Sequence, residues 1–209
     1  RGKKFDNFEN SKYATGEYFD AYIQAPFQVT SDKVAAIMSK VALPTADDWR
    51  ALKEQVAAHG LYHQNRLAIA PTGSISYVNE TSASLHPITR LIEERQEKKT
   101  GKTYYPAPML SNETLPYYKS AYDTDMRKVI DVYAAAQKHI DQGMSLTLSE
   151  LPEGMYEWKE GRTNKMTTRD LNILRHYAWK KGIKSIYYVR TFTENNDEVG
   201  SNECESCSI

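Results

Sequence analysis

Cys204 and Cys207 are the only two cysteines in 209 residues, and they stand as a Cys-x-x-Cys pair on a polar stretch. That spacing permits an intramolecular disulfide, and thiol–disulfide exchange requires access. Where such a pair opens a helix, the helix dipole lowers the thiol pKa. Here Glu203 and Glu205 flank the pair and favour the neutral thiol. This suits a flexible carrier of reducing equivalents better than a fixed nucleophile. A zinc site completed by a partner, or no function, are the alternatives, and no further cysteine in this chain extends the pair.

A second candidate is the turn Pro71-Thr72-Gly73-Ser74-Ile75-Ser76, which follows the short apolar run Leu67 to Ala70. A strand that ends in a Gly/Ser/Thr turn and feeds a helix start offers free backbone N–H groups and a positive dipole end. That combination binds phosphate without a basic side chain. Gly73 permits close approach of a ligand, and Thr72, Ser74 and Ser76 carry hydroxyls. The turn is not a Walker A loop, because no Gly-Lys-Ser/Thr follows. An ordinary Ser/Thr-rich turn is its bland reading.

The third candidate is Tyr187-Tyr188, within Ile186-Tyr-Tyr-Val-Arg190. Adjacent tyrosines in a strand ordinarily reflect β-propensity and packing. The functional alternative is a redox-active pair, since a phenol can lose an electron and a proton together. Neighbouring strand residues point to opposite faces, so a contiguous relay needs a bend or a strand end here. His63, His86, His139 and His176 are scattered without metal-protease spacing and read as packed or surface histidines. The charged segment 93–102 reads as a solvated face.

The elements that must position these groups follow from spacing. Arg1 to Ala25 reads as a helix end and surface loop interrupted by Gly16. Val34, Ile37, Met38 and Val41 follow helical spacing and stop before Pro44. Thr45 with Asp48 is a capping box opening a helix that Gly60 ends, and Thr167 with Asp170 repeats the device before a helix that stops at Gly182. Met126, Ile130, Tyr133 and Ile140 stripe another helix, ended by Gly143. Ile88 to Glu97 is read as helical and 101–116, with three prolines, as loop. Leu67–Ala70, Ser145–Leu148 and Ile183–Val189 are strand candidates. This alternation argues for an α/β fold with mostly parallel strands, read as one structural unit. Three strands make a poor sheet alone and belong in a larger sheet or barrel.

Composition closes several classes. Lys plus Arg and Asp plus Glu number 27 each, which gives no sign of a nucleic-acid-binding surface. No apolar run spans a bilayer and no signal peptide opens the chain. Two cysteines held together suit reduced, cytoplasmic chemistry rather than a secreted disulfide scaffold. The chain opens at Arg1 without an initiator Met, as a processed product, a split-gene partner or a piece of something longer would.

In order and spacing these signals resemble the class Ib branch of ribonucleotide reductase large subunits. The residues carrying the resemblance are Ala70-Pro-Thr-Gly-Ser-Ile-Ser-Tyr77, Thr81-Ser-Ala-Ser-Leu-His-Pro87 and Tyr104-Tyr-Pro-Ala-Pro108. They continue with Asp141-Gln-Gly-Met-Ser-Leu-Thr-Leu148, Thr168-Arg-Asp170, Lys181-Gly-Ile-Lys-Ser-Ile-Tyr-Tyr188 and Glu203-Cys-Glu-Ser-Cys207.

The resemblance implies the C-terminal part of a ten-stranded α/β barrel over residues 1–193, with helices, and a mobile redox tail over 194–209. It implies that Pro71, Thr72, Gly73, Ser74 and Ile75 hold the diphosphate of a ribonucleoside diphosphate. Tyr187 and Tyr188 would pass a radical from a small subunit toward an active-site cysteine. Cys204 and Cys207 would re-reduce the active-site disulfide and be reduced in turn by a thioredoxin- or glutaredoxin-like protein.

No cofactor or metal is expected in this chain. A metal/tyrosyl-radical cofactor would sit in the small subunit, and nucleotide effectors on an N-terminal portion. That portion would also supply the radical-bearing cysteine, the Asn/Glu bases and the active-site cysteine pair, none of which has a counterpart here. The loop 151–166 is longer than this connection leads one to expect. Two rival readings stand beside this one: a non-catalytic docking fragment for the small subunit, presenting helix surfaces 124–141 or 168–181, and a small thiol-redox protein acting alone.

Overall fold

The structure is a computed structural model that describes residues 3–97, 101–150 and 166–192. Its contacts divide the chain into two compact units, Arg1–Arg66 and Leu67–Ile209, where the sequence reads as one. No Pro/Gly-rich linker marks the division, so composition offered no boundary.

The first unit is built on aromatic packing. Helix α1 (Glu17–Gln24) and helix α3 (Ala46–His59) pack together, with α2 (Asp32–Met38) between them in sequence. Gly16 does not break the N-terminal segment. At φ 83° it takes the left-handed conformation at the N-cap of α1, so a true helix stands where a helix end and loop were expected. Phe8, Phe19 and Val56 are buried, and Tyr22 stacks on Trp49 at 4.4 Å and 15°. The Thr45–Asp48 capping box of α3 forms as expected. Thr45 Oγ1 accepts the Asp48 N–H, and the two hydrogen bonds that Thr45 gives the Asp48 carboxylate hold its pKa below the usual value.

The second unit carries the α/β core. Helix α5 (Met126–Gln137) is capped by Asp125, whose carboxylate accepts the Arg127 N–H. It ends at Gln137 rather than at Gly143, so Ile140 lies beyond it, but it buries Met126, Ile130 and Tyr133 of the predicted stripe, together with Val129. That face packs on β3 (Thr147–Glu150), which is buried at all four positions. From β3 the chain reaches α6 (Thr168–Lys180), where the Thr167–Asp170 capping box is present, and then β4 (Tyr188–Thr191). Strands β3 and β4 are parallel, with Thr147 opposite Tyr188 and Glu150 opposite Thr191. A further parallel bridge joins Ile69 to Met144. The three strand candidates are thus parallel neighbours in the β3 region, although β3 and β4 begin later than predicted and the first is a single bridge. Leu146, Leu148 and Leu174 close the core between strand and helices.

Residues 88–97 correct the sequence reading. They are not helical: β1 (Ile92–Glu97) pairs antiparallel with β2 (Gly101–Pro106), in a stretch read as loop. The Glu/Arg/Gln content of β1 has good helix propensity, which tertiary pairing overrides. The decisive sequence lies in its partner, where exposure alternates with period two from Gly101 to Pro106 and Gly101 supplies φ 78°. Helix α4 (Gly73–Val78) completes the unit. No helix among the described residues is long and apolar enough to cross a membrane.

Candidate functional site

The sheet opens where two neighbouring chains part. After the Ile69–Met144 bridge, one chain turns away into α4 while the other continues as β3. Ligand sites in α/β folds favour such divergences at the carboxyl ends of strands. A cavity of about 720 Å³ occupies this opening. Its lining includes the whole turn from Pro71 to Ser76 and both Tyr187 and Tyr188. Two candidates read separately from the sequence therefore face one space.

The turn takes the form its composition suggested. Thr72 is the N-cap of α4 in the left-handed region, at φ 50° and ψ 27°, an unusual conformation for a β-branched residue. Its hydroxyl does not cap the helix but accepts the Ser84 N–H at 2.9 Å. The N–H groups of Gly73, Ser74 and Ile75 lie in the first turn, where a helix supplies no acceptor. A Cβ built on Gly73 meets nothing within 4 Å, so internal packing does not require the glycine. Open ground next to first-turn N–H groups is what a diphosphate needs.

The tyrosine pair also meets its geometric condition. Tyr188 is the first residue of β4 and Tyr187 lies just outside it, donating its N–H to the Leu146 carbonyl at 2.7 Å. At this strand end the two rings do not diverge: their centroids are 4.1 Å apart, tilted by 56°. Arg190 follows on β4, its guanidinium 5.9 Å from the Tyr188 ring centroid. Cys204 and Cys207 lie outside the described residues, as do the tail 194–209 and nearly all of the loop 151–166.

Several groups at this cavity were not singled out in the sequence. His86 Nε2 accepts the Thr147 N–H at 2.7 Å, and Tyr133 Oη lies 3.0 Å from the same nitrogen. Burial, aided by the positive charge of Arg190, pushes the imidazole down from the usual 6.5 to about 4, so the ring is neutral with its proton on Nδ1. Tyr133 Oη also contacts Ser84 Oγ at 3.0 Å and the Ser145 carbonyl at 3.2 Å. Burial raises the Tyr133 pKa, against the lowering effect of the Ser84 hydroxyl and the Leu85 N–H. On the hairpin side, Glu93 accepts hydroxyls from Tyr77 at 2.5 Å and Thr89 at 2.8 Å. From sequence alone His86 reads as a packed or surface histidine and Tyr133 as part of a helix stripe. The only available signal was their polar atoms at apolar positions.

Residues 1–189 match the family model described as the ribonucleotide reductase barrel domain. The chain belongs to that family. It is 46% identical over 209 residues to a ribonucleoside-diphosphate reductase subunit alpha of Bacillus subtilis, covering all of this chain and 27% of that protein. It is 40% identical over 217 residues to the subunit of the same name from Mycoplasma pneumoniae, covering 99% and 28%. A Helicobacter pylori subunit alpha is 31% identical over 207 residues, covering 97% and 24%. The chain thus spans about a quarter of the length of these reductase relatives. The mixed helix-and-strand core and its parallel strands are those of an α/β fold, as the barrel-domain assignment requires.

Proposed function

We propose that this segment, within a complete large subunit of the class Ib type, helps to reduce ribonucleoside diphosphates to deoxyribonucleotides by radical chemistry. The first-turn N–H groups after Thr72, with Pro71 and Ile75 framing them, hold the substrate diphosphate. Tyr187 and Tyr188 relay the radical: one phenol gives up an electron and a proton, and its neighbour restores them in passing the oxidation on. Cys204 and Cys207 form a dithiol that becomes a disulfide as it reduces the active-site disulfide, and a thioredoxin- or glutaredoxin-like protein returns it to the dithiol. Such a carrier works in a reducing compartment, which points to the cytoplasm.

The N-terminal portion of the subunit contributes the remaining active-site groups and the effector site. The small subunit supplies the radical and holds its own metal. Among the described residues of this chain no three His, Cys, Asp or Glu side chains gather to bind one.

One observation carries the reading. The phosphate-type turn and the contacting tyrosine pair line the same cavity. The test is ribonucleoside-diphosphate reduction by this chain with the N-terminal portion, a radical-bearing small subunit and a dithiol reductant. Activity that requires all of them supports it. A well-folded assembly that binds the diphosphate yet never turns over favours the docking-fragment reading.

A further inference from the structure

The two sides of the cavity are joined by a run of hydrogen bonds made almost entirely by residues outside the three candidate sites. It starts at the turn, where the Ser84 N–H is donated to Thr72 Oγ1 at 2.9 Å. Ser84 Oγ then contacts Tyr133 Oη at 3.0 Å, and the Leu85 N–H reaches the same oxygen at 3.4 Å. Tyr133 Oη lies 3.0 Å from His86 Nε2, which accepts the Thr147 N–H at 2.7 Å. Thr147 is the ladder partner of Tyr188.

Strand polarity explains why a side chain can take that last position. The carbonyls of Leu146 and Glu150 accept from Tyr187 and Phe192, so alternate residues of the strand face β4. The N–H groups of Thr147 and Ser149 therefore face the opposite edge, beside the cavity. There they meet His86 Nε2 and, at 3.2 Å, Met126 Sδ, in place of a neighbouring strand. His86 is thus the acceptor that seats the residue opposite Tyr188.

The other end of the run is strained. Thr72 at φ 50° and Ser84 at φ 51° are both non-glycine residues in the left-handed region, and they are bonded to each other. Strain of this kind persists only where the surroundings hold it, so a ligand at the turn has a conformation to stabilise. Tyr133, wholly buried on α5, is the fixed post between the two ends.

We propose that Ser84, Tyr133 and His86 are positioning residues that couple occupancy of the Thr72–Ile75 turn to the seating of Tyr188. The proposal rests on the diphosphate reading of the turn. Anion binding at Gly73 to Ile75 stabilises the left-handed Thr72, which holds Ser84. Ser84 and Tyr133 then fix the His86 ring against β3, and Tyr188 takes its place in the ladder.

The test uses the complete large subunit with 3-fluorotyrosine at position 188 and cytidine diphosphate as the probe. Binding is measured by equilibrium dialysis and the ring environment by fluorine NMR on the same samples. In the unsubstituted protein, saturation displaces the fluorine resonance. Ser84→Ala and Tyr133→Phe, each losing only a hydroxyl, still bind the nucleotide but abolish the displacement. Their double variant behaves like either single one, because both interrupt the same path.

His86→Gln, whose amide oxygen can accept the Thr147 N–H, retains the displacement, whereas His86→Ala loses it. Should His86→Ala fail to fold, the two hydroxyl deletions decide the matter. A displacement that survives both of them is a direct effect of the ligand on the ring and overturns the proposal. Binding without displacement in the unsubstituted protein overturns it as well. Absence of binding there removes the diphosphate reading itself, and the coupling with it.

Discussion

The imidazole of His86 accepts the backbone N–H of Thr147 at 2.7 Å, a hydrogen bond between residues 61 positions apart. Only the neutral ring can accept it. Folding lowers the His86 pKa from 6.5 to about 4, with burial the larger cause and Arg190 the second. Between those values the unfolded chain binds more protons than the folded one, so stability rises with pH across the window. It is fully present above the unfolded value and is lost as pH falls through 6.5 toward about 4. Urea unfolding midpoints should therefore drop with acidification over this range, and His86→Gln should flatten the drop. An equally steep profile in the variant would assign the acid sensitivity to other groups. His86→Ala, which leaves the Thr147 N–H without its acceptor, should cost about 1–3 kcal/mol at neutral pH.

How much of this was legible depended on whether the signal was local. Both capping boxes, at Thr45–Asp48 and Thr167–Asp170, are four-residue patterns and stand as read. Three of the four stripe residues of α5 and the buried run at Leu146–Leu148 were equally plain, while Ile140 falls beyond the helix end at Gln137. The hairpin was hidden because β1 carries helix-forming residues and becomes a strand only through pairing with β2. Helix α1 was hidden because its glycine, taken as a breaker, is an N-cap. At the site, the turn and the tyrosine pair could be seen from residue type. The contacts joining them could not, since His86, Tyr133 and Thr147 meet only through the fold.

Gly73 separates packing from binding. A Cβ there meets nothing within 4 Å, and its position at the first residue of α4 has no positive φ to preserve. Gly73→Ala should leave stability unchanged or raise it by up to about 1 kcal/mol, since alanine is the better helix former. The added methyl stands on the face a diphosphate would approach. Nucleoside-diphosphate affinity should fall at least about tenfold, or about 1.4 kcal/mol. A stable variant with unaltered affinity would remove the turn from the binding site.

Tyr188→Phe tests the proposed relay. The ring can keep its 4.1 Å contact with Tyr187, because only the hydroxyl is lost. Phenylalanine has no phenolic proton to release with the electron, so multiple turnover in the complete reductase should fall to background. Substrate affinity, measured by equilibrium dialysis, should be little changed. Turnover at the unsubstituted rate would show that the pair serves packing, the ordinary use of adjacent strand tyrosines.

Asp170 closes the capping box of α6, the helix between β3 and β4, through a carboxylate that accepts the Thr167 N–H at 2.9 Å and the Thr167 hydroxyl at 2.6 Å. Thr167→Ala removes the side chain that accepts the Asp170 N–H at 3.2 Å and should cost about 1 kcal/mol. Because β4 begins at Tyr188, a frayed α6 start should lower the thermal midpoint without changing the pH profile of turnover. A changed profile would mean that α6 contributes more than scaffolding.

The Cys pair makes the most separable prediction, because the work of the proposed carrier is needed only between turnovers. Cys204→Ser or Cys207→Ser leaves one thiol, which can attack a disulfide but cannot resolve the mixed disulfide it forms. A pre-reduced complete enzyme should then convert substrate once and stop when a thioredoxin-like protein is the reductant. A small dithiol able to reach the active site directly should restore part of the rate. Rapid-quench measurement of product per subunit distinguishes the first turnover from those that follow. Sustained protein-coupled turnover in either variant would mean that reducing equivalents arrive by another route, and the Cys204–Cys207 pair would lose its assignment as the carrier.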